Sequence, residues 1–260
     1  MNITQLRNAT IVIQTGENHI LVDPMLAPKG AIPPLKYVSA KRRRNPIVDL
    51  PAQTEGLLEQ VTHCLITHCQ KGHFDHLDRA ATKWLRTRNI PVYCSAQDAD
   101  FLSKKGLNVH ILNPDVSNDF LGGSLDLIPC VHGEGIVGKF MAHGYGFLIR
   151  QPNEPSLYIT GDTILTQDVR DCIEVEKPDW IVLPAGGARF DLGGDIIMGL
   201  DEALQVGSLT QGQVIANHLE ALDHCPVSRL DLIAEVRKRN WIDRYHVPAD
   251  GETVQLRFRS

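Results

Sequence analysis

The sequence predicts an α/β fold built in two similar halves, and three observations carry that prediction. Short apolar runs alternate with helix-forming runs between residues 63 and 112. The same alternation returns between residues 180 and 239. In between, apolar runs at 124–131, 145–150 and 156–160 follow one another without a long helical segment, which predicts antiparallel strands. No sequence repeat accompanies the halves and no stretch has linker composition, so residues 1–260 are expected to form one domain.

Ala9 to Gln14 and His19 to Val22 read as two strands joined by a turn containing Gly16. Pro24 ends the second, since proline cannot continue a central ladder. Residues 25–53, rich in Pro, Lys and Arg, form a long excursion of the kind that is often functional. Glu55 to Gln60 is a short helix and His63 to Thr67 a short strand. Asp78 is placed to cap a helix over Arg79 to Arg86. Pro91 to Ser95 is a strand, Asp98 to Lys104 a helix and Val109 to Leu112 a strand. Trp180 to Leu183 and Val214 to Ala216 are buried strands with a helix, Leu200 to Val206, between them. Val227 to Arg239 is the last helix, and Val254 to Phe258 alternates as a closing strand.

Composition narrows the function classes. An apolar fraction of 43% with 22% charged residues is that of an ordinary globular protein. A formal charge of -5 argues against a nucleic-acid footprint. The basic run Lys41-Arg42-Arg43-Arg44 is either a solvated loop or an anion-steering lip beside a pocket. No apolar stretch approaches the roughly 20 residues of a membrane span. The N-terminus lacks the charged and apolar regions of a signal peptide. Six cysteines without a CxxC pair fit a reducing cytoplasm.

Four polar clusters share one grammar. Each follows a short apolar strand and sets His or Asp among small residues. They are Thr67-His68 and the residues after it, Val131-His132-Gly133-Glu134-Gly135, Gly161-Asp162-Thr163, and Asn217-His218. A lone strand-end histidine means little. Four such clusters converge if their strands lie side by side, because α/β sheets place their sites at that edge. Imidazole and carboxylate suit Zn²⁺, Mn²⁺ or Fe²⁺.

The order and wording of these clusters resemble the metallo-β-lactamase-fold hydrolase superfamily, whose pattern is Thr-His-x-His-x-Asp-His, a lone His, Gly-Asp-Thr and a late His. Within it the chain looks most like the ascorbate-6-phosphate lactonase-like branch. That likeness rests on Leu21-Val22-Asp23-Pro24, on Arg44 to Pro51, on Asn217 to Cys225 and on Pro248 to Glu252. The resemblance implies a four-layer αβ/βα sandwich and a metal-dependent hydrolase of a small ester, lactone or phosphoester. It implies one or two divalent ions and a small-molecule substrate, while the acidic balance and the lack of a long apolar stretch leave neither nucleic acid nor membrane expected as partner. A homo-oligomer stays open.

The opening cluster departs from the pattern, because His68 and His73 are five apart. Without a gap, His68 and His73 are the first and last His, and Gln70 and Gly72 replace the second His and the Asp. With a three-residue insertion, His68, His73, Asp75 and His76 fill all four roles. The insertion is preferred, because His-Phe-Asp-His-Leu-Asp is then intact and Asp78 keeps its offset as a helix cap. The extra residues would bulge where length changes are tolerated. Lys71 in the bulge would hinder a second metal, and Cys69 could stand in as a soft ligand.

Carried over residue by residue, the resemblance implies that His68, His73 and His132 bind one metal. Asp75, His76 and His218 bind a second, Asp162 bridges, and Asp75 also has a catalytic role. Two ions about 3.5–4 Å apart can hold a hydroxide between them at neutral pH, able to attack a carbonyl or phosphoryl centre. Asp23 is expected to orient a ligand histidine, His224 to flank the pocket, and His63 to lie in the core or at the surface. Glu134, Met141 and His143 fall in loops near the site. The loop around Gly186-Gly187, Arg189, Gly193-Gly194 and Asp195 either lines the pocket or is a plain surface loop. The main rival reading is a metal-depleted relative that binds a ligand without catalysis, motivated by the ungapped alignment. A nuclease of the same superfamily is disfavoured by the acidic balance, and a di-iron oxidoreductase by the chain's length.

Overall fold

A computed structural model describes residues 1–38, 42–70, 73–133 and 144–258. The expectations for Lys41, Lys71, Glu134, Met141 and His143 lie outside the described residues.

Among the described residues, fourteen strands form two seven-stranded sheets. In the first half, β1 (Asn2–Arg7), β2 (Thr10–Thr15) and β3 (Asn18–Val22) form an antiparallel meander. After the long excursion come α1 (Thr54–Glu59), β4 (His63–Leu65), α2 (Arg79–Arg88), β5 (Pro91–Ser95), α3 (Ala96–Ser103) and β6 (Asn108–Leu112). The second half opens with β7 (Asn118–Phe120), β8 (Gly123–Cys130), β9 (Gly144–Arg150) and β10 (Leu157–Ile159). Next are α4 (Gln167–Asp171), which runs into a π-helical turn over Cys172–Glu176, then β11 (Trp180–Pro184) and α5 (Leu200–Leu209). The chain continues through β12 (Gln213–Asn217), α6 (Arg229–Lys238), β13 (Tyr245–His246) and β14 (Thr253–Gln255). The strand orders are β14-β1-β2-β3-β4-β5-β6 and β13-β12-β11-β10-β9-β8-β7.

Alternation along each strand explains the layering. Ile11 and Ile13 of β2, Phe147 and Ile149 of β9, and Trp180 and Val182 of β11 share one core between the sheets. Their neighbours point the other way. Val12, Leu21 and Cys64 pack with Ala81, Leu85 and Leu102 of the helices on one outer face. Leu148, Ile181 and Val214 pack with Ala203, Val206 and Leu232 on the other. The result is helix, sheet, sheet, helix. Strands buried on both faces read as continuous apolar runs. No helix among the described residues is long and apolar enough to cross a membrane.

Several sequence expectations shift. β1, β7, β13 and the α4 region lie outside the elements that the sequence predicts, and the closing strand ends at Gln255. Asp78 does cap α2, accepting the Ala81 amide at 2.7 Å. The excursion after β3 has little regular structure of its own beyond a bridge between Ile32 and Asn45. It is tied down by arginine side chains instead. The Arg7 guanidinium donates to the carbonyls of Met25, Ala27 and Val48, and burial lowers its pKa to about 10. Arg44, from the basic run, donates to the carbonyls of Gly30 and Ala31.

Candidate metal centre

Strand direction assembles the site. β3, β4 and β5 run parallel, as do β10, β11 and β12. β8 is antiparallel to β9 and β9 to β10, so β8 runs the same way as β10. The ends of β4, β8, β10 and β12 therefore lie at corresponding edges, and they deliver His68, His132, Asp162 and His218. The two sheets are stitched there by Tyr145 N–H to Thr67 C=O at 3.1 Å and His218 N–H to Asn8 C=O at 3.0 Å.

Two groups of donor atoms face one another. In the first, those of His68, His73 and His132 lie within 4.8 Å of one another. His68 Nε2 is 3.2 Å from His73 Nδ1. In the second, Asp75, His76, Asp162 and His218 meet the same limit and all are buried. His76 Nε2 is 3.0 Å from Asp162 Oδ2 and 3.6 Å from Asp75 Oδ2. His218 Nε2 is 3.3 Å from Asp162 Oδ2 and 3.4 Å from Asp75 Oδ2. His132 Nε2 reaches the same Asp162 oxygen at 3.7 Å, so this atom stands between the groups. All seven sequence-predicted residues come together, and His73, Asp75 and His76 occupy the positions required by the insertion alignment.

The outer atoms decide whether this set fits a cation. Asp23 Oδ2 takes His76 Nδ1–H at 2.9 Å. Thr67 donates its amide and hydroxyl to the same carboxylate, at 2.9 and 2.6 Å. The Thr67 hydroxyl in turn accepts His68 Nδ1–H at 3.1 Å. His132 donates Nδ1–H to the Ile196 carbonyl at 2.7 Å. Cys225 Sγ lies 3.5 Å from His218 Nδ1. With these Nδ1 atoms engaged, the Nε2 atoms turn inward, which is how proteins present imidazole to a metal. The donor set fits one or two divalent ions.

Electrostatics agree. Burial works against the charge on Asp162, but His218 and His76 outweigh it and hold the carboxyl well below its ordinary range. Burial likewise opposes Asp75, which His76 and His218 hold low. Burial disfavours charge on His76 and His218 too, yet the carboxylates around them raise both well above the ordinary value. Protons there supply the positive charge that a cation would bring. His132, desolvated and only partly compensated by Asp162, falls to about 4 and is neutral at pH 7. His68 is pushed down by burial and by the neighbouring rings of His76 and His73.

Close approach shapes the walls. A Cβ on Gly186 would lie 2.1 Å from the His218 carbonyl oxygen, and one on Gly144 would lie 3.0 Å from His68 Cβ. Only glycine lets these backbones come so near.

Cys69 is not a surrogate ligand. Past the end of β4 the chain no longer alternates as a strand, and the Cys69 side chain is buried with Leu77, Ala81 and Cys94 on the helix side. His224 is buried and stacks on Phe190, with ring centroids 5.9 Å apart. Half-buried His63 faces Tyr93, away from the cluster. In the Gly-rich loop, the working group is the Ile196 carbonyl, which sequence reading missed because every residue carries one. Cys225 and Asn8 were also missed.

Comparison with known proteins agrees with the geometry. The family model described as "Beta-lactamase superfamily domain" matches residues 2–218. The UPF0173 protein YddR of Bacillus subtilis (strain 168) is 33% identical over 258 residues, covering 97% of this chain and 99% of that protein. The UPF0173 metal-dependent hydrolase MJ1163 of Methanocaldococcus jannaschii is 28% identical, over 82% of this chain and 90% of its own length. The crystal structure of isothiocyanate hydrolase from Delia radicum gut bacteria superposes with a TM-score of 0.88 at 30% identity, over 98% of this chain and 99% of the other. The chain belongs to the beta-lactamase superfamily and is a metal-dependent hydrolase.

Proposed function

We propose that the enzyme hydrolyses a small electrophilic molecule at a centre of two divalent ions, with Zn²⁺ or Mn²⁺ favoured and Fe²⁺ compatible with the ligands. His68, His73 and His132 would hold one ion, and Asp75, His76 and His218 the other. The observation that carries this reading is the position of Asp162 Oδ2, 3.0, 3.3 and 3.7 Å from His76, His218 and His132 nitrogens drawn from both groups. A carboxylate oxygen so placed suits a bridge.

The ions, when bound, supply Lewis acidity, which makes water nucleophilic at neutral pH and draws charge from the attacked centre. The remaining work falls to the chain. Asp75 stays ionised at neutral pH, so its carboxylate accepts a hydrogen bond from water and orients it without storing the proton. Asp23, Thr67, Ile196 and Cys225 fix which nitrogen each imidazole presents. Burial of both carboxylates keeps bulk water from screening the charges that hold substrate.

Esters, lactones, phosphoesters and isothiocyanates all present a centre open to water. The isothiocyanate class is favoured by the full-length likeness to an isothiocyanate hydrolase. Water would add to the heterocumulene carbon to give a thiocarbamate, which breaks its C–N bond to release an amine and carbonyl sulfide. The narrower ascorbate-6-phosphate lactonase branch is a proposal of lower rank. The metal-depleted reading loses its motivation once His73, Asp75 and His76 stand beside His132 and His218.

The test is a substrate panel. Protein expressed with Zn²⁺ or Mn²⁺ is desalted and assayed with an aryl isothiocyanate, γ-lactones, p-nitrophenyl esters and bis-p-nitrophenyl phosphate, before and after chelation. Turnover of one class, lost on chelation and restored by the ion, is expected. A fully loaded protein inert toward every class would contradict the proposal.

A further inference from the structure

Asn8 occupies the turn between β1 and β2 with φ +57°, in the left-handed region that asparagine tolerates. The turn needs only that backbone, and glycine would serve it. The side chain does something else. It is wholly buried, and its amide lies 3.1 Å from His218 Nε2, the nitrogen that also faces Asp75 and Asp162. Its backbone is fixed independently. The Asn8 carbonyl accepts Gln5 Nε2–H at 2.8 Å and the His218 amide at 3.0 Å. As placed, Nδ2 points at His218 and Oδ1 has no hydrogen-bond partner.

An amide's two ends are alike in shape, and only the hydrogen-bond network tells them apart. An ion on His218 Nε2 takes the lone pair that Nδ2–H would need. The amide would then be buried with neither end paired, a condition that folded proteins avoid. Turned over, Oδ1 faces the space bounded by His218 Nε2, Asp75 and Asp162, where a cation gives it a partner. A carbonyl oxygen is a neutral, hard donor of the kind that zinc, manganese and iron sites accept.

We propose that Asn8 Oδ1 is a further ligand of the ion held by Asp75, His76, His218 and Asp162. The inference rests on the proposed two-ion centre and adds to it a residue outside the His/Asp pattern.

The test compares wild type, Asn8→Gly and Asn8→Asp by equilibrium dialysis over a series of free Mn²⁺ concentrations, with bound ion counted by mass spectrometry. Gly and Asp both tolerate the backbone at this position, and circular dichroism checks the fold. The series is repeated in a His132→Ala background to isolate the second group. Asn8→Gly should weaken that step at least tenfold and leave the other unchanged, and Asn8→Asp should bind at least as tightly as wild type. Wild-type affinity at both steps in Asn8→Gly would overturn the inference. So would loss of the ion in Asn8→Asp, because the amide N–H would then be the group that matters. A wild-type chain that takes up no ion would overturn the two-ion centre itself, and this inference with it.

Discussion

The Asp23 carboxylate and the His76 imidazole form a buried pair, Oδ2 to Nδ1 at 2.9 Å, that reaches from the end of β3 into the metal centre. Asp23 itself has φ +45° and is 2% exposed. It also anchors Thr67, so one carboxylate sets the angle of two proposed ligands.

Asp23→Asn keeps the shape and the tolerated backbone but weakens the acceptor. Losing such an outer partner typically lowers metal affinity about 10- to 100-fold. Competition with a chromophoric chelator should show a loss of that size with the far-ultraviolet spectrum unchanged. Undiminished affinity would mean that His76 needs no orienting partner.

Gly186→Ala tests the close approach of the β11 end to His218. Its Cβ would meet the His218 carbonyl at 2.1 Å, a backbone atom that cannot step aside alone. Overpacking of this kind costs about 1–3 kcal/mol. Urea unfolding should show that loss, accompanied by weaker ion uptake. A variant as stable as wild type would show that the loop relaxes freely.

Cys225 should be the reactive thiol of the metal-free protein. Burial raises thiol pKa values, but His224 and His218 outweigh it here and bring Cys225 down to about 7. The five other cysteines are buried; burial lifts Cys94 and Cys172 to about 12. Iodoacetamide followed by peptide mass spectrometry should label Cys225 first, with a rate that levels off above pH 7 as the thiolate fills. Preferential labelling elsewhere, or a rate still climbing past pH 8.5 like an ordinary thiol's, would contradict this.

Asp98 predicts a pH-dependent stability. Burial raises its carboxyl to about 6, with Cys69 only partly offsetting, and neither oxygen has a well-aligned hydrogen-bond partner. Unfolded, it titrates near 3.9. The folded state therefore binds the extra proton between these values, and stability falls as pH rises from about 4 to about 6. Above that window the penalty is complete, about 3 kcal/mol. Asp98→Asn removes it. Urea unfolding of metal-free protein should find the variant more stable by about that amount at pH 7.5 and equal to wild type at pH 4. Equal stability at both would place the charge in a solvated setting.

The sandwich was legible because its strands bury both faces, so TIVIQ, WIVL and QVIA stand out as apolar runs. β1 was hidden by two polar residues: Arg7, whose burial depends on the distant carbonyls of Met25, Ala27 and Val48, and Gln5, whose amide folds back onto the Asn8 carbonyl. β7 and β13 are too short to carry a period. At the site, residue types and strand-end context pointed to the His and Asp set before any coordinates. The placement of Cys69 failed because adjacency in sequence is not adjacency in space: it is buried in the helix-side core, while His68 joins the donor group. Ile196 acts through a carbonyl, Cys225 through a contact with His218, and Asn8 through a turn that hides its side chain's second role. None of these carries a local signal.

The most direct measurement is the transition-metal content of the loaded and desalted chain, counted by mass spectrometry for wild type and for Asp162→Ala. Two ions per wild-type chain are expected, with loss of at least one on removing the shared carboxylate. A wild type free of metal, or an Asp162→Ala variant that keeps both ions, would contradict the two-ion centre.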